Sequence, residues 1–312
     1  MTSMMREKID FSSFEPVKPQ KAADTRAPFD DPGADIILRS SDNVDFRVHT
    51  LILSMASDFF KVTLHASSLS QRTTGTDGLP IVSIPEPSHI LDILLRSCYP
   101  RRLPLSKTIP LIDIGLVLDA AQKYHMNAFD DVAGSLLMNF VDEEPVTVYA
   151  IACCHGLKDV AAKAALCSLK QPFMSSRPQE LDNISGTQMY DLLQYHRTCG
   201  EVASAVASSA QWLCACSNTI TKTQLCTTCY TKRAGSQWWA PNGIWDHLVK
   251  AGKVLKGHPY GQAIYREGIM QPSITSCRCG KGMDRLDGLV QLWQMFAAEV
   301  DRAVSEVPPP KI

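Results

Sequence analysis

The sequence predicts an α+β protein: a small sheet capped by helices near the N-terminus, then a mainly helical extension and a small cysteine-rich subdomain. Three observations carry that expectation. Asp35–Val48 alternates apolar and polar side chains around the turn cluster Ser41-Asp42-Asn43, the period-two mark of a β-hairpin. From Ser88 onward, apolar residues recur at helical spacing. Beyond residue 213 the pattern changes to close cysteine pairs, tryptophans and glycines.

The elements follow in order. Residues 1–32 are polar, carry prolines at 16, 19, 28 and 32, and show no apolar period, so a flexible lead-in is expected. After the hairpin come two short helical pieces, His49–Ser54 and Ser57–Val62, with Ser57 as an N-cap and Asp58 in the first turn. Residues 65–79 form a Ser/Thr/Gly loop, and Pro80–Ile84 reads as a strand closed by Pro85. Ser88 opens a helix. Two more follow, one with Ile112, Leu116, Ala120 and Tyr124 on a common face, the other with Phe129, Val132, Ala133, Leu136, Leu137 and Phe140. Past Pro145, Val148–Leu169 reads as a helical pair broken at Gly156, and Thr187–Leu213 as one long helix or two in sequence. A short helix at Ile244–Leu255 lies within the cysteine segment. An amphipathic helix carrying Leu286, Leu289, Val290, Trp293, Phe296, Ala297, Val300 and Val304 precedes Pro308-Pro-Pro310. The expected organisation is 1–32, 33–142, 143–213, 214–283 and 284–312.

With 312 residues, 45% of them hydrophobic and 20% charged, the chain is long and apolar enough to bury a core in about two domains. No apolar run approaches the ~18 residues that cross a bilayer, and Met1–Asp10 has no apolar segment of a secretory signal. An intracellular setting, cytoplasmic or nuclear, is expected. The 11 cysteines are therefore read as core residues, metal ligands or redox groups before disulfides. Between Lys222 and Lys281, nine Lys/Arg stand against two Asp/Glu, a net of +7 that leaves −8 for the rest of a chain of formal charge −1. That asymmetry points to an acidic partner for the C-terminal part.

Asp35-Ile-Ile-Leu, Phe46-Arg-Val-His49, Ile52-Leu53, Ser57-x-Phe59-Phe60, Val82-Ser-Ile84, Cys98-Tyr99 and Leu118-x-Ala120-Ala121-x-Lys123-Tyr124-x-Met126 occur in one order over about 105 residues. In that order they resemble the BTB/POZ domain. The resemblance implies a structural signature of Asp35, Phe46, His49, Leu53, Ser57, Phe59 and Phe60, and a role in binding other proteins, including a homodimer. Val148-Tyr-Ala-Ile-Ala, Gly156-Leu and Ala161-x-x-Ala164-Ala165 resemble the BACK-like helical extension that follows many such domains. The whole chain, with Tyr195-His196-x-x-Cys199-Gly200, is similar to a large fungal BTB family. Among BTB/POZ domains generally, many serve as substrate adaptors of cullin-type ubiquitin ligases, usually through a hydrophobic–x–Glu motif. Here the nearest equivalent is Leu69-Ser70-Gln71, with Gln71 in place of Glu, which counts against cullin recruitment. Dimerising members add a helix and strand ahead of the core, and residues 1–32 show no such helix.

Read without the resemblance, Asp35 and His49 sit at element ends, where polar side chains satisfy exposed backbone groups. Neither has a nucleophile or second carboxylate beside it in the sequence. The chain offers no Gly-rich phosphate loop, paired carboxylates or nucleophile motif, and no enzyme is expected.

Cys214-x-Cys216, Cys226-x-x-Cys229 and Cys277-x-Cys279 are the three close pairs. Two such knuckles supply the four thiolates of a tetrahedral Zn²⁺ site. Cys226, Cys229, Cys277 and Cys279 form the candidate set for one structural Zn, with Cys214 and Cys216 as alternates or part of a second. Gly280 permits the tight turn, and Arg278 and Lys281 offset the thiolate charge. The competing reading is reduced, partly buried thiols. Cys98, Cys153, Cys154 and Cys167 fall on apolar helix faces and are expected in the core. Trp238, Trp239 and Trp245, with Tyr260 and Tyr265, interleave with the cations of 222–281. They plug a small core or, on the alternative reading of a nucleic-acid-associated transcriptional regulator, stack on bases. The leading expectation is a scaffold or adaptor that binds proteins.

Overall fold

The computed structural model describes residues 23–24, 28–64, 78–99, 109–126, 129–172, 177–209, 212, 230–232, 239–265 and 286–312. Two compact units are present, Met1–Ala133 and Gly134–Ile312.

The first unit is built on a four-stranded sheet of order β1-β3-β2-β4, from β1 (Ala23–Asp24), β2 (Ile36–Arg39), β3 (Val44–Val48) and β4 (Ile81–Ser83). The expected hairpin forms: β2 and β3 pair antiparallel from Ile36↔Val48 to Arg39↔Asp45. Its turn uses Asn43 at φ 59°, a left-handed conformation that asparagine tolerates. β4 pairs parallel to β2, and β1 parallel to β3. Ile36, Ile37 and Leu38 are all buried, so the central strand is covered on both faces. Asp45 is buried on β3, and Arg39 grips its carboxylate with two hydrogen bonds of 2.6 and 2.8 Å, the bidentate geometry that makes a buried charge tolerable.

Helices α1 (Thr50–Ala56), α2 (Asp58–Thr63), α3 (Ser88–Cys98) and α4 (Leu111–Lys123) cover this sheet's unit, and α5 (Asp130–Leu137) contains the boundary between the units. Two of these helices receive their N-terminal caps from distant carboxylates. Asp35 accepts from the Thr50 backbone N–H at 2.7 Å. Asp42, in the hairpin turn, accepts from both the N–H and the hydroxyl of Ser88, at 2.8 and 2.6 Å. Hydrogen bonds from Ser40 first, and then from Ser88, hold the Asp42 carboxyl down at about 2. The turn is thereby tied to the start of α3.

Two expectations for this unit fail. The lead-in is not featureless to residue 32: β1 pairs with β3, and Phe29 is buried against Phe46 and Tyr99, with ring centroids at 5.6 and 5.2 Å. A lone aromatic between prolines gave no periodicity to read. On α4, Ile112 and Leu116 do not face the core but stand 56% and 44% exposed. The buried stripe is Leu111, Ile114, Val117, Leu118 and Ala121, shared with Ala120 and Tyr124. Apolar residues cover the helix nearly all round, so periodicity alone left its orientation undecided.

The second unit is helical. α6 (Pro145–Cys154) starts with proline at its first turn and is buried on nearly every side from Thr147 to Cys153. Gly156, at φ 68°, turns the chain into α7 (Lys158–Ser168), the break expected from sequence. Cys153 and Cys167 are buried as expected, whereas Cys98 is half-buried and Cys154 is exposed at the end of α6, contrary to its expected core placement. A short 3₁₀ turn at Gln179–Asn183 leads into α8 (Gly186–Ser209). β5 (Tyr230–Lys232) and β6 (Trp239–Pro241) form an antiparallel pair that runs directly into α9 (Asn242–Leu255); α10 (Leu286–Ser305) follows. Helices α9 and α10 both pack on α8. Their core holds Trp212 stacked on Phe296 at 5.0 Å and His247 stacked on Trp293 at 3.7 Å. Val290, placed on the apolar face from sequence, is 44% exposed.

His196 on α8 is buried and lies 2.7 Å from the Ser168 hydroxyl, which also donates to the Ala165 carbonyl at 2.7 Å. Burial lowers its imidazole to about 4. The folded state thus binds its proton less readily than the unfolded chain, whose histidine titrates near 6.5. Stability from this group is complete above about pH 6.5 and is lost as pH falls towards 4, by on the order of 3 kcal/mol. Chemical denaturation between pH 7 and pH 4.5 is expected to show that slope, and His196→Gln to flatten it. An unchanged slope in the variant assigns the acid sensitivity to other groups.

Candidate protein-interaction surface

Ser57 sits between α1 and α2 and does two things at once. As the α2 N-cap it accepts from the Phe60 N–H at 3.0 Å, and it donates to the Tyr124 carbonyl at 2.5 Å, tying α2 to the end of α4. Tyr124 is fixed in turn by its hydroxyl, which donates to Glu86; the Lys123 ammonium donates to the same carboxylate at 2.7 Å. Burial first, and then Glu86, push the phenol's pKa far up. Leu53 and Phe60 point inward and are fully buried.

On their outer sides these helices expose four apolar side chains, with the charged Asp58 and Lys61 beside those of α2. Leu51 and Met55, one turn apart on α1, are 71% and 82% exposed. Phe59 and Val62 on α2 are 38% and 75% exposed. α1 and α2 are in contact, so the four form neighbouring ridges on a rigid base. Exposed apolar side chains are ordinary singly; a cluster on adjacent helices marks a surface for association.

Around His49 the polar groups converge, but on backbone. The His49 N–H donates to the Tyr99 hydroxyl at 3.0 Å, its Nδ1 lies 3.4 Å from the same oxygen, and its Nε2 is 3.5 Å from an Asp31 carboxylate oxygen. Asp31 also accepts from the Gly33 N–H at 2.8 Å. Asp35 caps α1, as described above. Burial pushes the Tyr99 phenol up. Phe46 is buried beneath Phe29. The seven signature residues are therefore found in two sets, Asp35, Phe46 and His49 at the hairpin and Leu53, Ser57, Phe59 and Phe60 at the α1–α2 corner. Phe59 has a solvent face as well as a packing role, its ring 5.3 Å from that of Tyr124.

The sequence reading missed Phe29, Glu86 and the Asp42–Ser88 cap. Asp42 had a local signal, since a carboxylate in a hairpin turn is a capping group in search of a helix; its partner 46 residues later had none. Cys214, Cys216, Cys226, Cys229, Cys277 and Cys279 lie outside the described residues, as do Leu69-Ser70-Gln71. Among the described residues, no group of three or more His, Cys, Asp or Glu side chains is placed to hold a metal. Among them, too, no helix is long and apolar enough to cross a membrane.

A small mixed sheet capped by helices, with apolar side chains of α1 and α2 left in solvent, is the arrangement of a protein-binding module. The family model of the BTB/POZ domain matches residues 30–139, and that stretch is a BTB/POZ domain. No curated protein matches the chain.

Proposed function

We propose that this protein is a scaffold or adaptor whose BTB/POZ domain associates with a second copy of itself or with another protein through the α1–α2 ridges. The observation that carries the reading is the exposure of Leu51, Met55, Phe59 and Val62 on two helices whose inner faces are locked to the core. Covering those side chains removes apolar area from water, at about 25 cal/mol per Å² before the cost of association. Light scattering across a concentration series, with affinity capture from native extract, tests it. Met55→Asp with Val62→Asp is expected to weaken association at least tenfold while leaving the melting temperature within about 2 °C, because both side chains are already in water. A chain that stays monomeric and captures no stoichiometric partner, or a double variant that associates unchanged, overturns the proposal.

We further propose one structural Zn held by Cys226, Cys229, Cys277 and Cys279. The support is their spacing and the flanking Arg278, Gly280 and Lys281. Protein purified without chelator is expected to contain about one Zn per chain, and Cys229→Ser to lower that content. Metal-free protein with an unchanged melting temperature ends this idea in favour of reduced thiols. Recruitment of a cullin is not part of the proposal, since Gln71 lacks the carboxylate of the motif.

A further inference from the structure

We propose that the exposed face of α9 is a docking surface for the phosphate backbone of a nucleic-acid strand. This goes beyond the protein-binding reading and does not depend on it.

The buried side of α9 is Ile244, Trp245, His247, Leu248, Ala251 and Leu255. That leaves Lys250, Lys253 and Lys256 exposed on the other side, the last just past the helix end. At 1.5 Å of rise per residue the three ammonium-bearing positions span about 9 Å of axis, which faces roughly three phosphates at 3.4 Å per nucleotide. None of the three has an ion-pair partner among the described residues. Many cations elsewhere do sit against a carboxylate, among them Arg39, Arg96, Lys123, Lys170, Arg177, Arg197 and Arg302, whereas Lys158 and Lys163 on α7 are exposed like those of α9. The one acidic residue on the same face is Asp246.

The ordinary explanation for lysines at a helix C-terminus is the macrodipole, but that effect fades within the last turn. It accounts for Lys253 and Lys256 but not for Lys250, five residues before the helix end and one turn after Asp246. The surrounding sequence points the same way, since Lys222–Lys281 carries a net +7 in a chain of formal charge −1. The β5–β6 pair that enters α9 places Lys232 opposite Trp239 in register. Lysines act as point charges towards phosphate, whereas recognition of protein carboxylates favours the two-pronged guanidinium, and this face has no arginine.

The test is fluorescence anisotropy of a labelled 20-nucleotide poly-dT strand with the full chain, from 50 to 200 mM NaCl. Binding is expected to weaken with salt, with a log–log slope of about −2 for three lysines on a single strand. Replacing all three, Lys250→Gln, Lys253→Gln and Lys256→Gln, is expected to reduce affinity at least tenfold at 50 mM NaCl. Lys158→Gln with Lys163→Gln, which removes exposed charge from α7, is expected to leave it within about twofold. Circular dichroism melting establishes that both variants are folded. No binding at 50 mM NaCl, equal loss in both variants, or full retention in the triple variant overturns the proposal. Poly-glutamate competing as well as unlabelled poly-dT overturns it in favour of an acidic protein partner.

Discussion

Phe60→Ala is expected to destabilise the BTB/POZ unit by about 3–5 kcal/mol, the range for removing a fully buried aromatic ring. The ring of Phe60 stacks on Tyr124 at 5.2 Å and meets the edge of Phe59 at 5.4 Å. Its backbone N–H is held by Ser57 and its carbonyl accepts from Leu64, so the helix cannot slide to close the hole. The loss therefore combines lost transfer energy with an uncollapsed cavity. Urea unfolding followed by circular dichroism measures it. Phe59→Ala, at a ring already in part solvated, is expected to cost about 1 kcal/mol and to act mainly on association. If the two substitutions destabilise equally, the inner and outer faces of α2 have been assigned wrongly.

Gly200→Ala is the second large effect, and its sign is the informative part. In an exposed helix interior this change stabilises by roughly 0.5–1 kcal/mol, because alanine orders at less entropic cost. Here a Cβ at position 200 would lie 2.4 Å from the Lys256 carbonyl oxygen, a backbone atom that no rotamer change can move. The end of α9 must move away from α8 instead. Overpacking of that kind costs about 3 kcal/mol, or roughly 10 °C in the melting temperature of a unit this size. A stabilised variant, read by calorimetry, rules out the close approach. Gly261, where a Cβ would meet the Ala297 carbonyl oxygen at 2.5 Å, makes the corresponding contact to α10.

The proposals differ in what they require of the molecule. Association through α1 and α2 needs only the first unit, so the Met55 and Val62 substitutions act there and leave poly-dT binding by α9 unchanged. The lysine substitutions are expected to leave association untouched. Crossing the two variant sets with the two assays keeps a failure of one reading from being taken as a failure of the other.

How far the sequence alone reached follows from the range of the forces involved. Period-two alternation in Asp35–Val48 and helical recurrence after Ser88 are local patterns, and local hydrogen bonding turns them into the hairpin and the helices at nearly the expected bounds. The break at Gly156 is local as well, because only the backbone of that residue decides it. Tertiary structure decided the rest. Ile112 and Leu116 could not be placed outside until α4 had a sheet to pack on, since a helix apolar nearly all round has no preferred face by itself. Phe29 became core only through contact with Phe46 and Tyr99, and the caps from Asp35 and Asp42 reach partners 15 and 46 residues away. The exposed ridge of α1–α2 is likewise invisible in one dimension: Leu51, Leu53 and Met55 look alike as letters, and burial alone separates the side chain that holds the fold from those left to meet a partner.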